Sequence, residues 1–307
     1  MSVRGAIGMV HVGALPGTPR AHAAPAEIVA AAVAEARALA EAGFDGIIVE
    51  NMHDRPYLRD GIGPEVVACM AVVAAAVRRA VEVPLGIQIL GGGAVEALSV
   101  AHAAGLEFIR CENFVFAHTA DEGVMDRAVA GPLLRHRRAI GAERVAVLAD
   151  IKKKHAAHAL TANLDIAECA RGAAFFLADG VVVTGTETGA PVAMDELRRV
   201  RAAVALPVVV GSGATPDTVA DLLAHADAVI VGSWIKRGGA WTEPVDPDRA
   251  AAFVAAARRA RTPDGAPAPD RATHRASAQP AAAPTAAPAA TPAAPGVDAV
   301  RSLFPRR

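Results

Sequence analysis

Eight short apolar runs recur along the chain, at residues 7–12, 44–50, 84–90, 106–112, 144–151, 179–184, 208–210 and 228–231. Most are continuous rather than alternating, as expected of strands buried on both faces of a parallel sheet. Longer, alanine-rich segments lie between them, and these predict helices over 25–42, 64–80 and within 128–140, 163–178, 194–204 and 246–261. A further helix leads from Gly91-Gly92-Gly93 to Gly105, while Gly43 and Gly141 close two others. Asn163 is the expected cap of one helix. Thr215-Pro216-Asp217 opens another, with Thr215 as cap, Pro216 in the first turn and Asp217 complementing the helix dipole. Eight strand–helix repeats predict an α/β fold, a closed (β/α)8 TIM barrel over residues 1–261. A doubly wound sheet alternates in the same way, but eight strands and two strands ending in Gly-Ser favour closure.

From Thr262 to Arg307 the chain turns to Ala, Pro, Thr and Arg with no apolar period. Such a segment buries too little surface to offset the entropy of ordering it, so 262–307 is expected to be a disordered tail. Its last stretch, VDAVRSLFPRR, is short, apolar and basic, with a docking peptide as the alternative to a plain tail.

The whole chain has 307 residues, 53% hydrophobic and 21% charged, with a formal charge of −1. Alanine inflates the hydrophobic share, and no apolar run approaches the roughly 20 residues of a spanning helix. Near-neutral charge gives no reason to expect nucleic acid. The N-terminus MSVRGAIGMVHVGALPG is broken by Gly and Pro, so it reads as a strand rather than a signal peptide. Cys69, Cys111 and Cys169 are odd in number and far apart, which fits a reducing cytoplasm better than a disulfide framework.

Side chains alternate along a strand between the barrel interior and the helix layer. Strand by strand, that alternation puts together Ile7, Met9 and His11; Ile48 and Glu50; Gly86, Gln88 and Leu90; Phe108, Arg110 and Glu112; Asp150, Lys152 and Lys154; Val182 and Thr184. The polar member falls at the C-terminal end of nearly every strand, where barrel enzymes carry their reacting groups. Gly211-Ser212-Gly213 and Gly232-Ser233 end the last two strands, the usual place for a phosphate cradle in such barrels. The expected ligand is therefore a small phosphorylated molecule. Gly211, Ser212, Gly213, Gly232 and Ser233 would hold its phosphate. Arg110 and Lys154 would neutralise charge, with His11, Asn51, Gln88, Asn113 and Thr184 lining the site. Glu50, Asp150, Glu112 and Lys152 are the candidate catalytic groups, the carboxylates for proton transfer and Lys152 for charge or a Schiff base.

A plainer reading stands beside each of these. Arg110 with Glu112, and Asp150 with Lys152, make sense as structural ion pairs. His11, His53, His155 and His158 with Glu50 could meet at a divalent ion, but no compact ligand motif is present, so neither a metal nor another cofactor is expected. Gly91-Gly92-Gly93 lacks the dinucleotide spacing and reads as a tight turn. Trp234 and Trp241 flank Lys236-Arg237-Gly238-Gly239; lining the pocket is one reading, and packing against the last helix is the expected one.

Several stretches, in order, resemble the BtpA (BtpA/SgcQ) family: IGMVHVGALPG, FDGIIVENMHDRPY, GLEFIRCENFVFAHTADEG, DIKKKHAAHAL, DGVVVTGTETG, VVVGSGATPDTV and ADAVIVGSWIKRGGAWTEPVD. The resemblance spans residues 7 to about 261 and excludes the Ala/Pro tail. It implies a barrel of the ribulose-phosphate-binding type, in line with the residue-level reading, and it implies no particular reaction. By analogy with cyanobacterial members it also implies a second possibility: a non-catalytic biogenesis or stability factor for a membrane protein complex, peripherally associated with the membrane. A homo-oligomer is left open.

Overall fold

In a computed structural model, the structure describes residues 4–261; the tail expected at 262–307 lies outside them. Eight parallel strands close into one barrel: β1 (Gly5–His11), β2 (Gly46–Glu50), β3 (Leu85–Gln88), β4 (Phe108–Cys111), β5 (Ala146–Ile151), β6 (Gly180–Val183), β7 (Val208–Val210) and β8 (Ala228–Val231). Each pairs with its sequence neighbours, and β8 pairs back to β1 with Gly8 opposite Val231. The helices are α1 (Pro25–Ala42), α2 (Pro64–Ala80), α3 (Ala94–Ala104), α4 (Ala130–Ala139), α5 (Ile166–Phe175), α6 (Met194–Ala203), α7 (Val219–Leu223) and α8 (Pro247–Arg261). The chain is thus a closed (β/α)8 barrel.

Alternation along the strands divides the apolar residues into two cores. Outward positions such as Val10, Ile47, Val49, Ile87 and Ile109 pack under the helices against Leu39, Met70, Val77 and Leu98. Inward positions Ile7, Met9, Ile48, Phe108, Leu148, Val182, Val209 and Ile230 form a separate plug in the barrel. Phe108 fills the plug because Gly86, its register partner on β3, has no side chain: a Cβ there would lie inside the Phe108 ring. The plug fills the lower barrel, so the room inside the barrel lies at its C-terminal mouth.

Two local predictions are corrected, and one feature is added. The fifth helix starts at Ile166 and is capped by Asp165 rather than Asn163. Asp165 Oδ1 accepts the Glu168 N–H at 2.7 Å, and Glu168 Oε2 accepts the Asp165 N–H at 2.7 Å. This reciprocal D-x-x-E box satisfies two free amides at once, which Asn163 cannot do. The seventh helix starts at Val219, four residues past Thr215, because the Thr215 N–H donates to Thr218 Oγ1 at 3.0 Å and closes a turn through Pro216 and Asp217. Lastly, the loops after β4 and β5 are not wholly irregular. His118–Ala120, Gly123–Met125 and Ala156–Ala157 form a small antiparallel ribbon beside the mouth.

All three cysteines are free. Among the described residues no helix is long and apolar enough to cross a membrane.

Candidate functional site

The plug is overlaid by the next inward layer of strand-end residues. His11, Glu50, Gln88, Arg110 and Asp150 come from β1 to β5, and Thr184, Gly211 and Gly232 follow β6, β7 and β8. The six side chains are almost entirely removed from solvent. Above them lies a cavity of about 200 Å³ whose walls include His11, Glu50, Arg110 and Lys154 on one side and the 211–215 and 232–234 loops on the other.

The glycines after β7 and β8 shape the second wall. A Cβ on Gly211 would approach Thr184 and Arg110, and one on Gly232 would approach His11 Nε2. Their absence lets the two loops close on the cavity. Gly213 has a φ of +72°, and a Cβ there would strike the backbone of Ala190 and Pro191, so the β7 loop reaches this position only with glycine. Ser212 fastens the arrangement: its Oγ accepts the Gly185 N–H at 2.8 Å and donates to the Ala190 carbonyl at 3.3 Å. Among the described residues, the N–H groups of Gly213, Ala214, Gly232, Ser233 and Trp234 have no protein acceptor. A concave run of unbonded amides at the ends of two adjacent strands is suited to an oxyanion. The Ser212 hydroxyl, proposed from sequence as a ligand group, instead braces the loops; the Ser233 hydroxyl is uncommitted.

On the opposite wall the charges differ in how far they are committed. Arg110 donates from Nε to Asp150 Oδ1 at 2.9 Å and from Nη2 to Asp150 Oδ2 at 2.8 Å, with both side chains buried. Burial pushes the Asp150 carboxyl up, while the guanidinium bridging both oxygens favours its charged form, as Asp150 in turn favours that of Arg110. The bidentate geometry decides for an ion pair. Glu50 has no such partner. Burial lifts its carboxyl to about 6 against the pull of Arg110 and Lys154. His11 is neutral, since burial and then the Lys236 charge lower it to about 3. His11 Nδ1 lies 2.9 Å from the Trp241 carbonyl, which fixes the proton on Nδ1 and leaves Nε2 as an acceptor 3.9 Å from Glu50 Oε2. Lys154 enters from beyond β5, held by its N–H to Thr184 Oγ1 at 3.0 Å. Burial and then the neighbouring Arg110 hold its ammonium below the ordinary lysine range.

Not every residue proposed from sequence converges here. Asp150, Lys152 and Lys154 do not share a face, because β5 ends at Ile151 and Lys152 turns with a φ of +46°. Asp150, which meets the main cavity through its pairing with Arg110, also lines a separate cleft of about 20 Å³ together with Lys152 and Glu112. There Lys153 donates to Glu112 at 2.9 Å and lies 3.7 Å from Glu122 of the ribbon. Burial works against the Glu112 carboxylate, yet Lys153 holds it below its usual range. Glu112 is thus a buried ion-pair partner outside the mouth. Asn51 is a brace: its Oδ1 accepts the Leu90 N–H at 2.7 Å and its Nδ2 donates to Asp54 at 3.0 Å. Asn113 is buried beneath the β4 loop, its carbonyl accepting the Val129 N–H at 3.0 Å. Gln88 stays in the ring, and neither atom of its buried amide has a partner among the described residues. Thr188, Gly189 and Thr215 line the cavity without having been proposed; they lie in loops, where strand alternation gives no signal. Among the described residues no group of three or more His, Cys, Asp or Glu side chains is placed to hold a metal ion.

Fold and site together define a (β/α)8 barrel with an anion-suited mouth and an ionisable ring facing it. The sequence model of the BtpA family matches residues 3–259, and the chain belongs to that family. An uncharacterised mitochondrial protein of Caenorhabditis elegans is 41% identical over 252 residues, covering 80% of this chain and 90% of the relative. The photosystem I biogenesis protein BtpA of Synechocystis is 38% identical over 254 residues, covering 81% and 86%. Among solved structures, thiamine phosphate pyrophosphorylase from Pyrococcus furiosus superposes with a TM-score of 0.53 at 13% identity, over 85% of this chain and 98% of that one. The (S)-3-O-geranylgeranylglyceryl phosphate synthase of Thermoplasma acidophilum, in complex with sn-glycerol-1-phosphate, gives 0.51 at 16% identity, over 83% and 94%. At such identities the likeness is one of fold.

Proposed function

We propose that this protein is an enzyme acting on a small phosphorylated metabolite by acid/base chemistry at the barrel mouth. The observation that carries the reading is the pairing, across one cavity, of five unbonded backbone amides with a buried carboxyl that titrates near 6. The amides hold the phosphate oxyanions. Glu50, able to give or accept a proton near neutrality, faces the rest of the molecule. Arg110, held by Asp150 behind it, forms a fixed part of the cavity wall that presents guanidinium N–H groups without itself exchanging protons. The names of the barrel enzymes similar in fold, which refer to phosphate compounds, support the choice of ligand class. A cavity of about 200 Å³ lies below the roughly 300–1,000 Å³ of drug-sized sites, so the substrate is compact.

Thermal unfolding of the chain titrated with sn-glycerol-1-phosphate tests the binding step. Ligand at about 100 times its Kd stabilises by about 2.7 kcal/mol and raises Tm accordingly. Ser233→Asp places a carboxylate against the amides and should abolish that rise while leaving the unliganded Tm near wild type. Equal rises for both proteins, or none for wild type, would count against the reading. The Synechocystis relative's role in photosystem I biogenesis supports a second reading, in which the barrel is a scaffold. Replacing Glu50 by Gln separates the two, since a scaffold keeps its cellular role without that proton.

A further inference from the structure

The chain carries three consecutive lysines after β5, and their surroundings differ. Lys153 is committed to Glu112 and Glu122, and Lys152 faces the small side cleft. Lys154 lines the main cavity and, among the described residues, makes no ion pair and no side-chain hydrogen bond. An uncommitted amine in a largely enclosed wall, beside the guanidinium of Arg110 and with a carboxyl in the same cavity, has the surroundings of an activated nucleophile. A lysine kept only for charge would be expected to pair with Glu50 directly. No such pair is present within 4.0 Å.

We infer that Lys154 forms a Schiff base with an aldehyde or ketone carbonyl of the phosphorylated substrate. This inference rests on the phosphate-binding reading given above and narrows the substrate to a phosphorylated carbonyl compound. In the step, the free Nζ amine attacks the carbonyl carbon, a C–N bond forms, and the C=O π electrons move to oxygen. That oxygen takes a proton from the Glu50 carboxyl, giving a carbinolamine after its nitrogen returns one proton to Glu50. The hydroxyl then leaves as water with a proton from Glu50, and the nitrogen lone pair completes a protonated C=N bond. Over the step one proton is consumed and one water released. Glu50 is left as the carboxylate, positioned to take a proton from the carbon next to the iminium. Burial and the neighbouring Arg110 favour the uncharged amine the first step requires.

The test uses the full chain, dihydroxyacetone phosphate as the carbonyl probe, and sodium borohydride to reduce any C=N bond. Peptide mass mapping is expected to find one reduced adduct per chain, on Lys154. sn-Glycerol-1-phosphate, which has the phosphate but no carbonyl, should block the adduct. Unphosphorylated dihydroxyacetone at the same concentration should give at least a tenfold lower yield. Lys154→Met should abolish the adduct yet retain a Tm rise with sn-glycerol-1-phosphate, whereas Lys152→Met should label like wild type. Stabilisation by sn-glycerol-1-phosphate without an adduct on Lys154 would overturn the Schiff base and leave the phosphate site standing. Labelling that ignores the phosphate group, or that falls on Lys152, would overturn the inference as well; without stabilisation by sn-glycerol-1-phosphate it would also remove the phosphate site beneath it.

Discussion

Glu50 holds its proton more tightly in the folded chain than in the unfolded one, near 6 against an ordinary 4.5. Between those values the native state carries the extra proton, so Glu50 makes stability fall as pH rises, by about 2 kcal/mol in all. His11 acts in the opposite direction. Its folded value is near 3 against 6.5, so the unfolded state carries the extra proton and stability rises with pH across that window. The two slopes nearly cancel from pH 4.5 to 6. Glu50→Gln preserves shape and removes one of them. That variant should match wild type near about pH 4 and exceed it by about 2 kcal/mol near about pH 8. Urea titrations at both values check this, and an offset that does not change with pH would show that the Glu50 carboxyl is not displaced. A destabilising carboxyl retained at the floor of a cavity has the character of a group kept for chemistry rather than for folding.

At the scale of elements, β3 and β4 exchange volume across the barrel. Gly86 gives up its side chain so that the Phe108 ring can occupy the plug. Gly86→Ala should therefore destabilise by about 1–3 kcal/mol through overpacking. Adding Phe108→Leu to Gly86→Ala should restore part of that loss, and a chemical-denaturation cycle over the four proteins measures the coupling. A ring that simply rotates aside would instead give additive effects. The same elements show what the sequence makes legible. Strand ends such as Glu50, Arg110 and Asp150 were readable because a period of two holds wherever a strand is regular. Lys152 and Glu112 were misplaced because the period fails one residue past the strand: the positive φ of Lys152 turns the chain, and Glu112 is drawn toward Lys153 instead of the mouth. The cap at Asp165 and the turn that Thr218 closes with Thr215 compete with plausible alternatives within a few residues. Only the reciprocal hydrogen bonds, which are pairwise in space, decide between them. The ribbon beside the mouth had no signal at all, because its strands are two or three residues long.

For the whole molecule, closure requires that the last strand and its loop be held against the first helix. Lys236, just past β8, is fully buried and donates to Glu35 Oε2 on α1 at 2.6 Å. Glu35 Oε1 also accepts the Val245 N–H at 3.0 Å, so one carboxylate grips both limbs of the loop that carries Gly239 to the cavity and the Trp241 carbonyl to His11. The two partners are not equivalent. Glu35 retains some contact with solvent, while Lys236 has none. Glu35→Ala leaves a buried ammonium unpaired and should cost about 3–5 kcal/mol. Lys236→Met leaves Glu35 with water and the Val245 amide, and should cost less, under about 3 kcal/mol. In the double variant the buried charge is gone, so its stability should return toward that of Lys236→Met, and the order Glu35→Ala below the double variant is the diagnostic result. Urea midpoints of the four proteins establish the order. The sn-glycerol-1-phosphate titration on the same set reads the site: if this clamp sets the 232–234 loop, Glu35→Ala loses ligand stabilisation under conditions where the barrel is still folded. Unchanged ligand stabilisation in that variant would show that the pairing of β8 with β1 and β7 suffices to place the amides without the clamp.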